Sequence, residues 1–127
     1  MALTFADVAK AEYILLTTFT KDGRAKPTAI WAAPDGDRLL VITQGTSWKV
    51  KRIRNTPRVT VAICDRRGNA KSEAVEATAA ILDQSQIGKV YDAIGARYGL
   101  LGKTFNLFSK LRGGMKNNVG LELRAAV

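Results

Sequence analysis

Histidine is absent from the chain, and cysteine occurs once, at Cys64. Without histidine, Ser-His-Asp and Cys-His catalysis and His-ligated metal sites are excluded. One cysteine permits neither an intrachain disulfide nor a cysteine-rich metal cluster, so no metal is expected. Cys64 lies in the apolar run "RVTVAICD" and reads as a small core residue. Long apolar runs are missing too. The N-terminal "MALTFADVAKAEYILLTT" carries Asp7, Lys10 and Glu12 where a signal peptide needs an unbroken apolar stretch. No segment approaches the length of a membrane span, and a cytoplasmic location is the expectation. Acid is scarce: 11 Asp and Glu stand against 20 Lys and Arg, a net charge of +9. Such an excess attracts an anionic partner, whether nucleic acid, membrane headgroups or a phosphorylated or carboxylated small molecule.

What is present suits one folded domain over residues 1–127, with a hydrophobic share of 46% and no repeat, low-complexity segment or linker. Thr4 with Asp7 reads as a helix cap with acid in the first turn, opening a short helix to about Lys10. "EYILLTTFT" is a β-branched and aromatic strand, and "KDG" is a turn. "RAKPTAIWAA" is a second strand whose first half Pro27 confines to an edge or bulge, because proline donates nothing to the ladder. "PDGD" turns the chain into a third strand, "RLLVITQ". "RVTVAICD" and "SEAVEATAAILD" are strands four and five across the turn "RRGN". Ser85 then caps "QIGKVYDAIGARYG", a helix with Ile87, Val90, Tyr91 and Ile94 on one face. "KTFNLFSKLRGG" is ambiguous, and "NVGLELRAA" is the last strand. The class is mainly β: six antiparallel strands in a split or closed barrel with flanking helices.

The stretch "TSWKVKRIRNTP" concentrates charge. With Ser47 as N-cap and a helix from Trp48 to Asn55, Val50 and Ile53 face the core at about 100° per residue. Lys49 and Arg54 flank that stripe, while Lys51 and Arg52 point outward. Lys49 and Lys51 fall in the first turn, where the helix dipole disfavours a cation by about 0.3–1 kcal/mol. An anion there reverses the sign, since free N–H groups, the Ser47 hydroxyl and lysine would all meet it. The alternative is a solvated basic face.

"PTAIWAAPDGDRLLVITQGTSWKVKRIRNTPRVTVAICDRRGN" resembles the split-barrel flavin and deazaflavin reductases of the pyridoxamine-phosphate-oxidase-like superfamily, nearest to its F420-dependent branch. The likeness runs from "YILLTTFTKDGRAKPT" through the basic stretch to "RYGLLGK" and the last strand. It implies an FMN-binding split-barrel fold. It also implies a cofactor phosphate held at "SWK" (Ser47, Trp48, Lys49), before the corner "NTP". The ring would lie along strands two and three, against Thr28, Ala29, Ile30, Thr43 and Gln44. Trp48 stands where flavin-phosphate oxidases carry arginine, and Pro27 and Ala32 stand where they carry basic residues on strand two. These departures favour F420 over FMN. Arg52, Arg54 and Arg58 would then meet the carboxylates of the coenzyme tail.

The resemblance further implies a homodimer whose pockets borrow walls from the partner. Hydride would pass from the reduced deazaflavin to a small electron-poor acceptor such as a quinone, a tetrapyrrole or an enone. No catalytic residue is assigned, because solvent, Tyr98, Asp65 and Lys71 are all open as proton sources. Trp31 either fills core or lines the ring pocket; Trp48 either stacks on the coenzyme or closes a dimer interface. The rival readings are an FMN-binding protein, a carrier of coenzyme, haem or lipid without turnover, and a nucleic-acid-binding barrel. The last is disfavoured because aromatics are only 7% and strands four and five carry none. Residues 100–114 form either an interfacial membrane segment or a flap over the pocket.

Overall fold

A computed structural model of the protein describes residues 3–97 and 118–126. Seven strands form one antiparallel sheet: β1 (Ile14–Phe19), β2 (Ala25–Ile30), β3 (Ala33–Asp35), β4 (Arg38–Gln44), β5 (Arg58–Ile63), β6 (Val75–Ile81) and β7 (Asn118–Ala125). Their order is β2-β1-β5-β6-β7-β4-β3. The two edge strands, β2 and β3, are separated in the chain only by Trp31 and Ala32. Three Cα steps span at most about 11 Å, so the sheet must curl until its edges approach each other. The result is a curled half-barrel with helices on its flanks, the mainly β split-barrel class expected from the sequence.

The strand count rises to seven because the expected second strand breaks at Trp31–Ala32. Its remainder pairs with β4 in a tight hairpin, Ala33 opposite Leu40 and Asp35 opposite Arg38. Gly36, at φ 63°, supplies the left-handed residue that this two-residue turn requires. Pro27 sits opposite Thr17 on the sheet-edge strand β2, where a missing N–H leaves no ladder bond unmade.

Period-two alternation divides the apolar residues between two cores. Leu39 and Val41 of β4 point into the barrel with Ile14, Leu16, Val59, Val61, Leu121 and Leu123. Leu40 points the other way, against Val90 and Ile94 of helix α3, which covers 87–97. "RLLVITQ" is a nearly unbroken apolar run because β4 is covered on both faces. A short 3-10 turn, Gln84–Gln86, precedes α3 and is capped by Asp83, whose carboxylate accepts from the Ser85 N–H at 3.0 Å. The cap expected at Ser85 therefore lies two residues earlier. The carboxylate accepts more strongly than a hydroxyl, and it stands at the first extended residue.

Helix α1 (Phe5–Ala9) opens with a capping box. The Asp7 N–H donates to Thr4 Oγ1 at 3.2 Å, and the Thr4 N–H donates back to Asp7 Oδ2 at 3.0 Å. It plugs one end of the barrel with Phe5 and Val8. Tyr98 and the segment 100–114 lie outside the described residues. Among those described, no helix is long and apolar enough to cross a membrane.

Candidate functional site

The basic stretch folds as helix α2 (Trp48–Asn55) immediately after β4. Ser47 is its N-cap: Oγ accepts from the Val50 N–H at 3.4 Å and lies 3.3 Å from Thr43 Oγ1. Val50 and Ile53 are fully buried, which fixes the rotation of the helix. Lys49 is thereby turned half into the protein, whereas Lys51 stays exposed with its ammonium 4.5 Å from the Trp48 ring centroid. Arg52 does not point outward as expected. It is half-buried, with Nη1 3.5 Å from the Thr18 hydroxyl.

Lys49 enters a cavity of 330 Å³. Thr28, Ala29, Ile30 and Trp31 line it from the end of β2 and the link to β3; Ile42 and Thr43 come from β4. Tyr13, Ile94 and Arg66 join the wall from the start of β1, from α3 and from the β5–β6 turn. The register explains this convergence. Ile14 sits opposite Ile30 on one side and Ile63 on the other, so Tyr13, Trp31 and the residues after Ile63 emerge at one end of the sheet.

Among the described residues, the lining holds two cations and no acid. All 11 Asp and Glu fall within the described residues, and none of them pairs with Lys49 or Arg66. Burial pushes the Lys49 ammonium below its ordinary value, and the nearby Arg52 charge adds to the shift. A half-buried cation in the first turn of a helix, beside another cation, is electrostatically unfavourable, and a bound anion would relieve it. The apolar residues Ile30, Ile42 and Ile94, with the Tyr13 and Trp31 rings, leave room for a flat, largely apolar body next to that anion.

The residues expected at the site divide. Thr28, Ala29, Ile30, Thr43 and Lys49 line this cavity together. Ser47 stands one hydrogen bond behind, through Thr43. Gln44 is exposed at the end of β4 and is not among the lining residues. Trp48, 69% exposed, lines a separate groove of 390 Å³ with Lys21, Arg24, Lys26, Lys51 and Arg52. Neighbours on a helix point about 100° apart, which is why Trp48 and Lys49 part company. Ala32 is fully buried and presents nothing to a ligand.

Arg58 is already engaged. It grips Glu76 through two hydrogen bonds, at 2.6 and 2.8 Å, and covers the Phe19 ring. Asp65 is likewise occupied. Hydrogen bonds from the Asn69 backbone and side chain hold its carboxyl below the usual range, so at neutral pH it has no proton to give. Lys71 is exposed and does not line the cavity.

Sequence reasoning named Trp31 but missed Tyr13, Ile42, Ile94 and Arg66. Arg66 lies in a turn with two arginines, and only the strand register brings it to the cavity. A further cavity of 550 Å³ opens between α1 and the β3–β4 hairpin and contains none of the expected residues.

The family model described as pyridoxamine 5'-phosphate oxidase matches residues 4–124. Among curated proteins, none matches the chain. Several solved structures share the fold. A conserved hypothetical protein from Mycobacterium tuberculosis superposes with a TM-score of 0.70 at 21% identity, covering 100% of this chain and 83% of the other. HutZ, the heme storage protein from Vibrio cholerae, gives 0.68 at 12% identity over 94% of this chain and 85% of its own. A protein described as an F420 reductase gives 0.64 at 18% identity, covering 100% of this chain and 97% of that one. At such identities the likeness concerns the fold.

Proposed function

The chain belongs to the pyridoxamine 5'-phosphate oxidase family, and from that premise we propose that it is an F420-dependent reductase acting on a small electron-poor acceptor of the quinone, tetrapyrrole or enone type. Lys49 carries this reading: a half-buried ammonium without a carboxylate, at the start of a helix and inside a cavity. The donor set fits a phosphorylated ring. The Lys49 ammonium and the first-turn N–H groups of Trp48 and Lys49 would hold the phosphate, while Ser47 itself takes up the Val50 N–H. Tyr13 and Trp31 would flank the ring, while Ile30, Ile42 and Ile94 exclude water from it.

When bound, the coenzyme supplies the hydride chemistry, and the protein's part is binding, orientation and dryness. That division of labour suits a chain without histidine. The deazaflavin is preferred to FMN because Trp48, in place of an arginine, turns away from the cavity and leaves Lys49 as the cation at the phosphate end. An F420 reductase among the proteins of like fold supports the same choice. Of the arginines assigned to the coenzyme tail, Arg54 is exposed, Arg52 is half-buried with its guanidinium against the Thr18 hydroxyl, and Arg58 is committed to Glu76.

A homodimer belongs to the proposal. Trp48 is the large apolar side chain left exposed among the described residues, and it marks the surface a partner subunit would cover.

Titration with reduced F420 and with FMN tests the reading. A Trp48→Phe variant leaves Trp31, inside the cavity, as the sole tryptophan reporter. Strong quenching by the deazaflavin and weak quenching by FMN is the expected outcome. Failure of both to quench Trp31 refutes it. Tight binding without turnover on any acceptor would make the protein a carrier instead; a heme storage protein, HutZ, shares the fold.

A further inference from the structure

Arg66 belongs to a turn built to hold its backbone still. The Asp65 carboxylate accepts from the N–H groups of Arg67 and Asn69, each at 2.9 Å, and from the Asn69 side-chain amide at 3.0 Å. The Gly68 N–H donates to the Asp65 carbonyl at 3.0 Å. Gly68 itself has φ 87°, and a Cβ there would lie 3.8 Å from Ala29 Cβ and 3.9 Å from Leu15 Cδ1. The turn is thus folded down onto β1 and β2, beside the cavity wall. Its acid is consumed by the turn, so Arg66 stands exposed at the cavity with no carboxylate partner among the described residues. Lys49 reaches the same space from the start of α2, and Arg66 reaches it from the β5–β6 turn.

We propose that Arg66 is a second ligand anchor, which grips the acidic edge of the ring while Lys49 holds the phosphate. The site then selects a ligand with two separated anionic features: a phosphate, and a ring that ionises at an imide N–H or a phenol. A guanidinium presents a planar fork of donors that matches such an edge, and an ammonium does not. This inference rests on the redox-ring reading of the cavity. Contact with the arginine favours the ionised ring, so the pKa of the bound ring falls below that of the free coenzyme.

Absorbance titration of the bound coenzyme against pH reads this directly. In the wild-type protein the ionisation of the ring is expected about one pH unit below that of the free coenzyme. Arg66→Met should return it to the free value and weaken binding of the ionised form about tenfold. Arg66→Lys should restore part of the shift, and Arg67→Met, on the same turn, should behave as wild type. Equal melting temperatures across the set establish that the turn is intact. If coenzyme binds and Arg66→Met titrates like wild type, the anchor role is overturned while the redox-ring reading survives. If no coenzyme binds to the wild-type protein, both fall together.

Discussion

Replacing Lys49 by methionine should stabilise the ligand-free protein and cripple its binding, and the two effects share one cause. Methionine keeps an unbranched stem of similar helix propensity, so packing and local structure are retained. What disappears is the ammonium. In the first turn of α2 it opposes the helix dipole by about 0.3–1 kcal/mol. Arg52, three residues on, adds a like-charge penalty of about 0.2–0.5 kcal/mol. Relief of both predicts a gain of at least about 0.5–1.5 kcal/mol, or about 2–6 °C in melting temperature for a domain of this size. Relief of the charge's burial adds to it in the same direction.

The gain should also depend on pH with a defined sign. The folded state holds Lys49 below its ordinary pKa, so the unfolded chain binds more protons in the window between the folded value and 10.5. The penalty is complete below that window and fades as pH rises through it. The advantage of Lys49→Met is therefore full at neutral pH and shrinks toward 10.5. With the phosphorylated ligand present the order reverses. Loss of a charge-assisted hydrogen bond of about 1.5–3 kcal/mol weakens affinity about 10- to 150-fold. Thermal melts with and without ligand, at neutral and alkaline pH, measure every part of this. A variant that melts lower than wild type without ligand, or binds within twofold of it, would refute the electrostatic reasoning.

Ser47→Ala should weaken the ligand as well but with the opposite effect on stability: loss of the N-cap predicts a drop of about 0.5–2 kcal/mol in denaturant unfolding. Gly120→Ala should destabilise by about 1–3 kcal/mol, because its Cβ would lie 2.8 Å from Val90 Cγ2 where α3 crosses β7; chemical denaturation without ligand tests it. Arg58→Ala should leave coenzyme affinity unchanged in the Trp31 quenching assay, since its guanidinium is committed to Glu76 and Arg58 is not among the residues lining the cavity.

Features decided within a few residues were legible in the sequence. The Thr4–Asp7 capping box, the Ser47 cap, the span of α2 and its buried Val50 and Ile53 follow from hydrogen bonds and side-chain periods that close within one or two turns. The edge position of Pro27 is equally local, because proline lacks a donor. The alternation expected in β5 is not seen in its burial, since Thr60 and Ala62 are buried along with Val59 and Val61. Even the break at Trp31–Ala32 escaped that logic, since nothing local separates it from a continuous strand.

Only the tertiary structure decided which neighbours in sequence become neighbours at the site. Trp48 and Lys49 are adjacent in the chain yet line different cavities, because burial of Val50 and Ile53 sets the rotation of α2 and sends the two side chains apart. Arg66 and Thr28 are distant in the chain yet share one wall, because β1 pairs with β2 on one side and β5 on the other. Cross-strand register and the packing of a helix against a curled sheet are sums over many contacts far apart in sequence, and no window of residues contains them.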